Sequence, residues 1–169
     1  MRSQFEPAWG WWFFHPREKV RAGGVKPPHS RPSRDLIIAG HQQVTKEWWE
    51  KRRDAFEIYI SQLVIDEASA GDPDAARQRM LIVRDFAMLD ITPEVGHLAS
   101  EILASGILPR KAATDAAHIA IAAVHGTDFL LTWNCVHIAH AVIAKAVANI
   151  CLLSIPTDRL EGQVCSLTW

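Results

Sequence analysis

The chain has few cysteines and no long apolar run. Its 169 residues include three cysteines, Cys135, Cys151 and Cys165, and no Cys-x-x-Cys pair. An odd number without paired spacing indicates neither a zinc ribbon nor a disulfide framework. The apolar cluster at 9–14 is too short to span a bilayer and lacks the basic-then-apolar order of a signal peptide. We therefore expect a cytoplasmic protein with no membrane contact.

A strong net charge is also missing. The formal charge is −1, which gives no bulk electrostatic reason for binding nucleic acid. The charge is unevenly spread, however: residues 1–35 carry seven basic and three acidic side chains, and the remainder carries eleven and sixteen. A basic segment can contact a phosphate backbone, but a solvated tail is the more common meaning of such a segment.

The order of the segments predicts an α/β domain. Gly23-Gly24 and Pro27-Pro28 break any regular element, so we expect an irregular leader over 1–32, a domain over 33–155 and a tail over 156–169. Within the domain, helices beginning near 33, 62, 73, 93, 112 and 136 alternate with strand-like runs at 56–61, 88–91 and 128–132, and a last strand is expected at 151–156. Such alternation predicts a parallel sheet between helical layers.

The most informative stretch is 111–134. Asp115 stands in the first turn of an apolar helix, Gly126 ends that helix, and the strand that follows delivers Asn134 at its carboxyl end. Upstream, Glu67 comes just after another strand-like run. Polar groups beyond the carboxyl ends of the strands are where open α/β sheets usually place their chemistry. This order of acids and Asn predicts a site at one edge of the sheet.

With these residues the chain resembles the PIN-domain family, the fold of the VapC-like ribonuclease toxins, over roughly residues 32–148. The resemblance implies a three-layer α/β/α domain with a central parallel sheet and a Mg²⁺- or Mn²⁺-dependent hydrolysis of RNA phosphodiester bonds. It assigns the metal to Glu67 and Asp115, and the placing of water or metal to Asn134. It also implies a homodimer and a cognate antitoxin that blocks the acidic site.

One part of the family pattern is missing. PIN domains open with a short apolar strand ending in Asp-Thr or Asp-Ser, and no such strand precedes Asp35. Two carboxylates and one amide then remain where the family usually presents three or four acids. The alternative function is therefore a degenerate, non-catalytic PIN-like protein that binds RNA, an antitoxin or another protomer. A third possibility is an unrelated α/β protein whose acids only cap helices.

Each candidate residue also has an ordinary structural interpretation. Asp115 can serve the dipole of its helix, and Asn134 can be a turn residue after a strand. Glu67 has an acidic neighbour, Asp66, and on a helix the two side chains point about 100° apart, so the pair can equally face solvent. His118 is expected to be a packed or half-exposed histidine.

Overall fold

The computed structural model describes residues 12–16, 36–132 and 141–154. The helices are α1 Leu36–Lys51, α2 Gln62–Ser69, α3 Pro73–Val83, α4 Pro93–Ala104, α5 Ala113–Val124 and α6 Ala141–Ser154. The strands are β1 Trp12–Pro16, β2 Phe56–Ser61, β3 Ala87–Leu89 and β4 Phe129–Leu131. The predicted mixed α/β class is confirmed. Among the described helices, none is long and apolar enough to cross a membrane.

The four strands form one sheet in the order β3-β2-β1-β4. β2 and β3 are parallel, with Tyr59 opposite Ala87. β1 lies between β2 and β4 and runs antiparallel to both. Consequently β2, β3 and β4 share one direction, and their last residues lie at the same end of the sheet, which we call the carboxyl edge.

β1 departs from the prediction of an irregular leader over 1–32. Its residue Phe13 pairs with Tyr59 on one side and with Leu130 on the other. Aromatic residues favour strands, and the backbone groups of β2 and β4 need hydrogen-bonding partners on the sides that face each other. Because β1 runs against its neighbours, the sheet is mixed rather than parallel throughout. The other leader residues and the tail over 156–169 lie outside the described residues.

Local capping signals set the starts of α3 and α4. Asp72 accepts a hydrogen bond from the backbone N of Ala75 at 2.9 Å, and Pro73 occupies the first turn of α3. The preceding Gly71 has a φ of 86°, a conformation that favours glycine at a turn. Thr92 caps α4 in the same way and is also followed by a proline. These starts agree with the sequence prediction.

The core lies around α4 and α5. Ile102 of α4 and both Ala120 and Ile121 of α5 are fully buried. α6 adds Val147 and Cys151, which stand four residues apart on one helical face and are also buried. The strand predicted over 151–156 is therefore wrong at its start, because the apolar helical period continues and α6 ends only at Ser154.

Candidate functional site

A tight turn joins α5 to β4. Only residues 125–128 separate the helix from the strand, and the backbone N of Thr127 donates to the carbonyl of Ala122 at 3.0 Å. Gly126, with a φ of 63°, permits this tight reversal. Asp115 is half-buried in the first turn of α5. At the other end of the helix, Nε2 of His125 lies 2.8 Å from the carbonyl oxygen of Asp90, directly after β3.

Glu67, on α2, contacts the same helix α5. α2 follows β2 without a loop, with Ser61 as both the last strand residue and the N-cap. Oε1 of Glu67 lies 3.2 Å from Nε2 of His118, a residue 51 positions away on α5. His118 stands three residues after Asp115, so the two share one face of α5. The structure thus brings Glu67 against the helical face that carries Asp115.

The neighbouring acids of α2 have different surroundings. Asp66 is exposed and accepts a hydrogen bond from Nε2 of Gln62 at 2.9 Å, within its own helix. Glu67 instead contacts α5, and its side chain is 39% exposed. Of the two acids that the sequence left open, Glu67 is therefore the one that faces α5.

Arg79 of α3 holds the end of α2. Its Nε donates to the carbonyl oxygen of Ala68 at 2.8 Å, and its Nη2 donates to that of Ala70. The last carbonyls of a helix have no partner within the helix, so this side chain satisfies two of them immediately after Glu67. Sequence reasoning missed Arg79, because no local pattern indicates a cap supplied from the next helix.

The donor set suits a hard cation bound by few protein ligands. Over residues 12–16, 36–132 and 141–154, no group of three or more His, Cys, Asp or Glu side chains is placed to hold a metal. Glu67 and Asp115 offer carboxylate oxygens, and Mg²⁺ commonly uses one or two carboxylates together with water and substrate phosphate. Nε2 of His118 is already engaged with Glu67. The two carboxylates are of the ligand type that Mg²⁺ prefers, and the described residues form no all-protein cage.

β1 brings no acid to the carboxyl edge. Its first residue, Trp12, pairs with Leu131 at that edge, and its last residue, Pro16, pairs with Phe56 at the opposite one. The five residues of this strand contain no carboxylate. The Asp that the sequence resemblance implies is thus not supplied by β1.

Asn134, the third predicted site residue, lies outside the described residues. The last described residue before it is Thr132, directly after β4. The predicted position of Asn134 beyond the carboxyl end of that strand stays a prediction.

The role of His118 was not foreseen from the sequence. The expectation of a packed histidine is confirmed, because the residue is fully buried. Its contact with Glu67 is the additional finding. The available signal was its spacing of three residues from Asp115, which puts a polar group one turn further along the same face.

Comparison of the chain with protein-family models, with curated proteins and with solved structures gives no match. The fold defines a mixed α/β protein with a four-stranded mixed sheet. Its function has to be inferred from Glu67, Asp115 and the helices that place them.

Proposed function

We propose that this chain is a PIN-like, three-layer α/β/α protein that hydrolyses RNA phosphodiester bonds as a metal-dependent endoribonuclease of the VapC toxin type. The observation that carries the proposal is the 3.2 Å contact between Glu67 and His118. It puts one predicted acid against the face of α5 that bears the other, Asp115. Two acids that are 48 residues apart in the sequence (115 − 67) thereby adjoin one helical face.

In this proposal Glu67 and Asp115 hold the cation, Mg²⁺ or Mn²⁺. Their carboxylate oxygens would be the protein ligands of the cation. The cation supplies charge neutralisation at the scissile phosphate and a lower pKa for the attacking water. Asn134 orients water or metal through its amide oxygen and contributes no charge.

The proposed activity is attenuated. The family pattern implies three or four acids, and this chain offers two, with no carboxylate from β1. Because charge stabilisation is usually the largest catalytic term, the loss of one acid is expected to slow cleavage about 10²-fold or more.

A second candidate keeps the fold and lacks catalysis. It is favoured by the direction of β1, which runs antiparallel to both neighbours and ends in His-Pro at the wrong edge for a ligand. In this case the chain binds RNA, an antitoxin or another protomer. For either candidate we propose a cytoplasmic homodimer, and for the toxin a cognate antitoxin that covers the acidic site.

The test is Mn²⁺-dependent cleavage of a mixed pool of structured RNAs. The parent chain is compared with Asp115→Asn, Glu67→Gln and the control Asp66→Asn, which changes the adjacent acid that bonds Gln62. We expect cleavage by the parent and by Asp66→Asn, and none by the other two. Cleavage by Asp115→Asn at the parental rate would remove the proposed site, and an inactive parent would favour the non-catalytic candidate.

A further inference from the structure

We infer that His118 is a positioning residue for Glu67: its Nε2–H donates to Oε1 of Glu67 and leaves Oε2 as the oxygen that faces the cation. The hydrogen bond is inferred from the observed contact between α2 and α5 and does not depend on the proposed function. The assignment of Oε2 to a cation rests on the proposed function.

The direction of the hydrogen bond follows from the chemistry of the two groups. An ionised carboxylate has only acceptor oxygens, so the ring nitrogen 3.2 Å from Oε1 must be the donor. Both the neutral and the charged imidazole can carry that hydrogen on Nε2. The hydrogen bond thus ties the orientation of Glu67 to the ring of His118.

Burial restricts the ring of His118 to few orientations. It is fully buried, and the next residues of α5, Ile119, Ala120 and Ile121, are buried as well. Close packing leaves a buried ring few alternative rotamers. Glu67, by contrast, is an exposed residue near the end of a short helix. Without a partner, its long side chain would sample many rotamers, and the fixed ring selects among them.

A hydrogen bond of this kind orients the side chain that binds the metal. Ligating carboxylates are usually themselves hydrogen-bonded, and loss of such a partner typically costs 10- to 100-fold in metal affinity or activity. Because Oε1 accepts from His118, Oε2 is the less occupied oxygen of Glu67. Asp66 points in another direction from the helix axis, and its carboxylate accepts from Gln62 on the exposed surface of α2.

The first experiment separates positioning from packing with two amide variants. In His118→Gln the side-chain amide nitrogen reaches about as far as Nε2, whereas in His118→Asn it reaches only about as far as Nδ1. Both variants put a neutral amide into the same buried position. We measure Mn²⁺ affinity by calorimetry and the free energy of unfolding by urea denaturation for each.

We expect His118→Asn to weaken Mn²⁺ binding about 10-fold and His118→Gln to recover most of that loss, at similar stability. Equal Mn²⁺ affinities for the two variants and the parent would show that the ring only fills space, and would overturn the inference. The inference would also be overturned if, in both variants, the loss of Mn²⁺ affinity were proportional to the loss of unfolding free energy.

The second experiment needs no metal. Two-bond ¹H–¹⁵N NMR spectra report which ring nitrogen of His118 carries hydrogen, in the parent, in Glu67→Met and in the control Asp66→Asn. We expect a protonated Nε2 whose resonance moves in Glu67→Met and stays in Asp66→Asn. An Nε2 chemical shift that is the same in Glu67→Met as in the parent would overturn the inference. A parent that binds no Mn²⁺ but gives the expected spectra would reject the proposed metal site and keep the hydrogen bond.

Discussion

Helix α5 and strand β1 both lie inside the fold, but they are specified in different ways. α5 has an acid in its first turn, a mostly apolar sequence and a glycine shortly after its end, so its 12 residues carry their own signals. β1 has five residues and pairs with β2 and β4, which come much later in the chain. The candidate site is built on the first kind of element: Glu67 and Asp115 stand on helices whose limits the local sequence predicts.

The candidate site and β1 depend on different contacts. The contact between Glu67 and His118 joins α2 to α5 and does not involve β1. β1, in contrast, runs antiparallel to both of its neighbours and contains no carboxylate. The contact between Glu67 and His118 therefore does not depend on the strand in which the predicted opening Asp is absent.

The largest effect is expected in the α4–α5 core. Ile102→Ala removes a side chain with 0% exposure from α4, and we expect it to lower the free energy of unfolding by about 4 kcal/mol through the cavity it leaves. The control is Leu81→Ala on α3, where the side chain is 48% exposed and a loss under about 1 kcal/mol is expected. Urea denaturation measures both. Similar losses at the two positions would contradict the placement of the core.

A smaller effect is expected from breaking β1. Phe13→Pro removes a backbone N–H from a strand paired on both sides, and we expect about 3 kcal/mol of lost stability. Phe13→Tyr serves as the control, since it keeps the strand propensity and the backbone donor. The measurement is again urea denaturation of full-length protein. A proline variant as stable as the parent would show that β1 contributes nothing to the sheet.

The third effect concerns the support of α2. Arg79→Met removes two hydrogen bonds from a charged group to the helix end, and we expect a loss of about 2 kcal/mol. Arg77→Met is the matched control on the same helix, because the Arg77 side chain is 70% exposed and pairs with Asp74. That change should cost under about 0.5 kcal/mol. Equal losses for the two arginines would contradict a specific cap by Arg79.

Much of the helical part of the fold was predictable because its signals are local. Asp72-Pro73 and Thr92 mark helix starts by side-chain capping, and β2 was predicted with the bounds that it has in the structure, Phe56–Ser61. Asp115 in the first turn of α5 belongs to the same class of signal. In each case the deciding interaction lies within a few residues of the element itself.

The remaining features depend on partners that are distant in sequence. The direction of β1 follows from the two strands beside it, and the cap by Arg79 spans 11 residues to Ala68. The contact of His118 with Glu67 spans 51. Periodicity and capping patterns contain no information on such pairs, so the fold class and the acids could be predicted but the support of Glu67 could not.

The most direct test of the central claim, that Glu67 and Asp115 belong to one site, is a calorimetric Mn²⁺ titration of a double-mutant cycle. The proteins are the parent, Glu67→Gln, Asp115→Asn, the double variant and Asp66→Asn as control. We predict that each single site variant weakens Mn²⁺ binding strongly, that the double variant is scarcely weaker than the worse single one, and that Asp66→Asn binds like the parent. Losses that simply add, or an Asp66→Asn variant as impaired as Glu67→Gln, would contradict a shared site on α2 and α5.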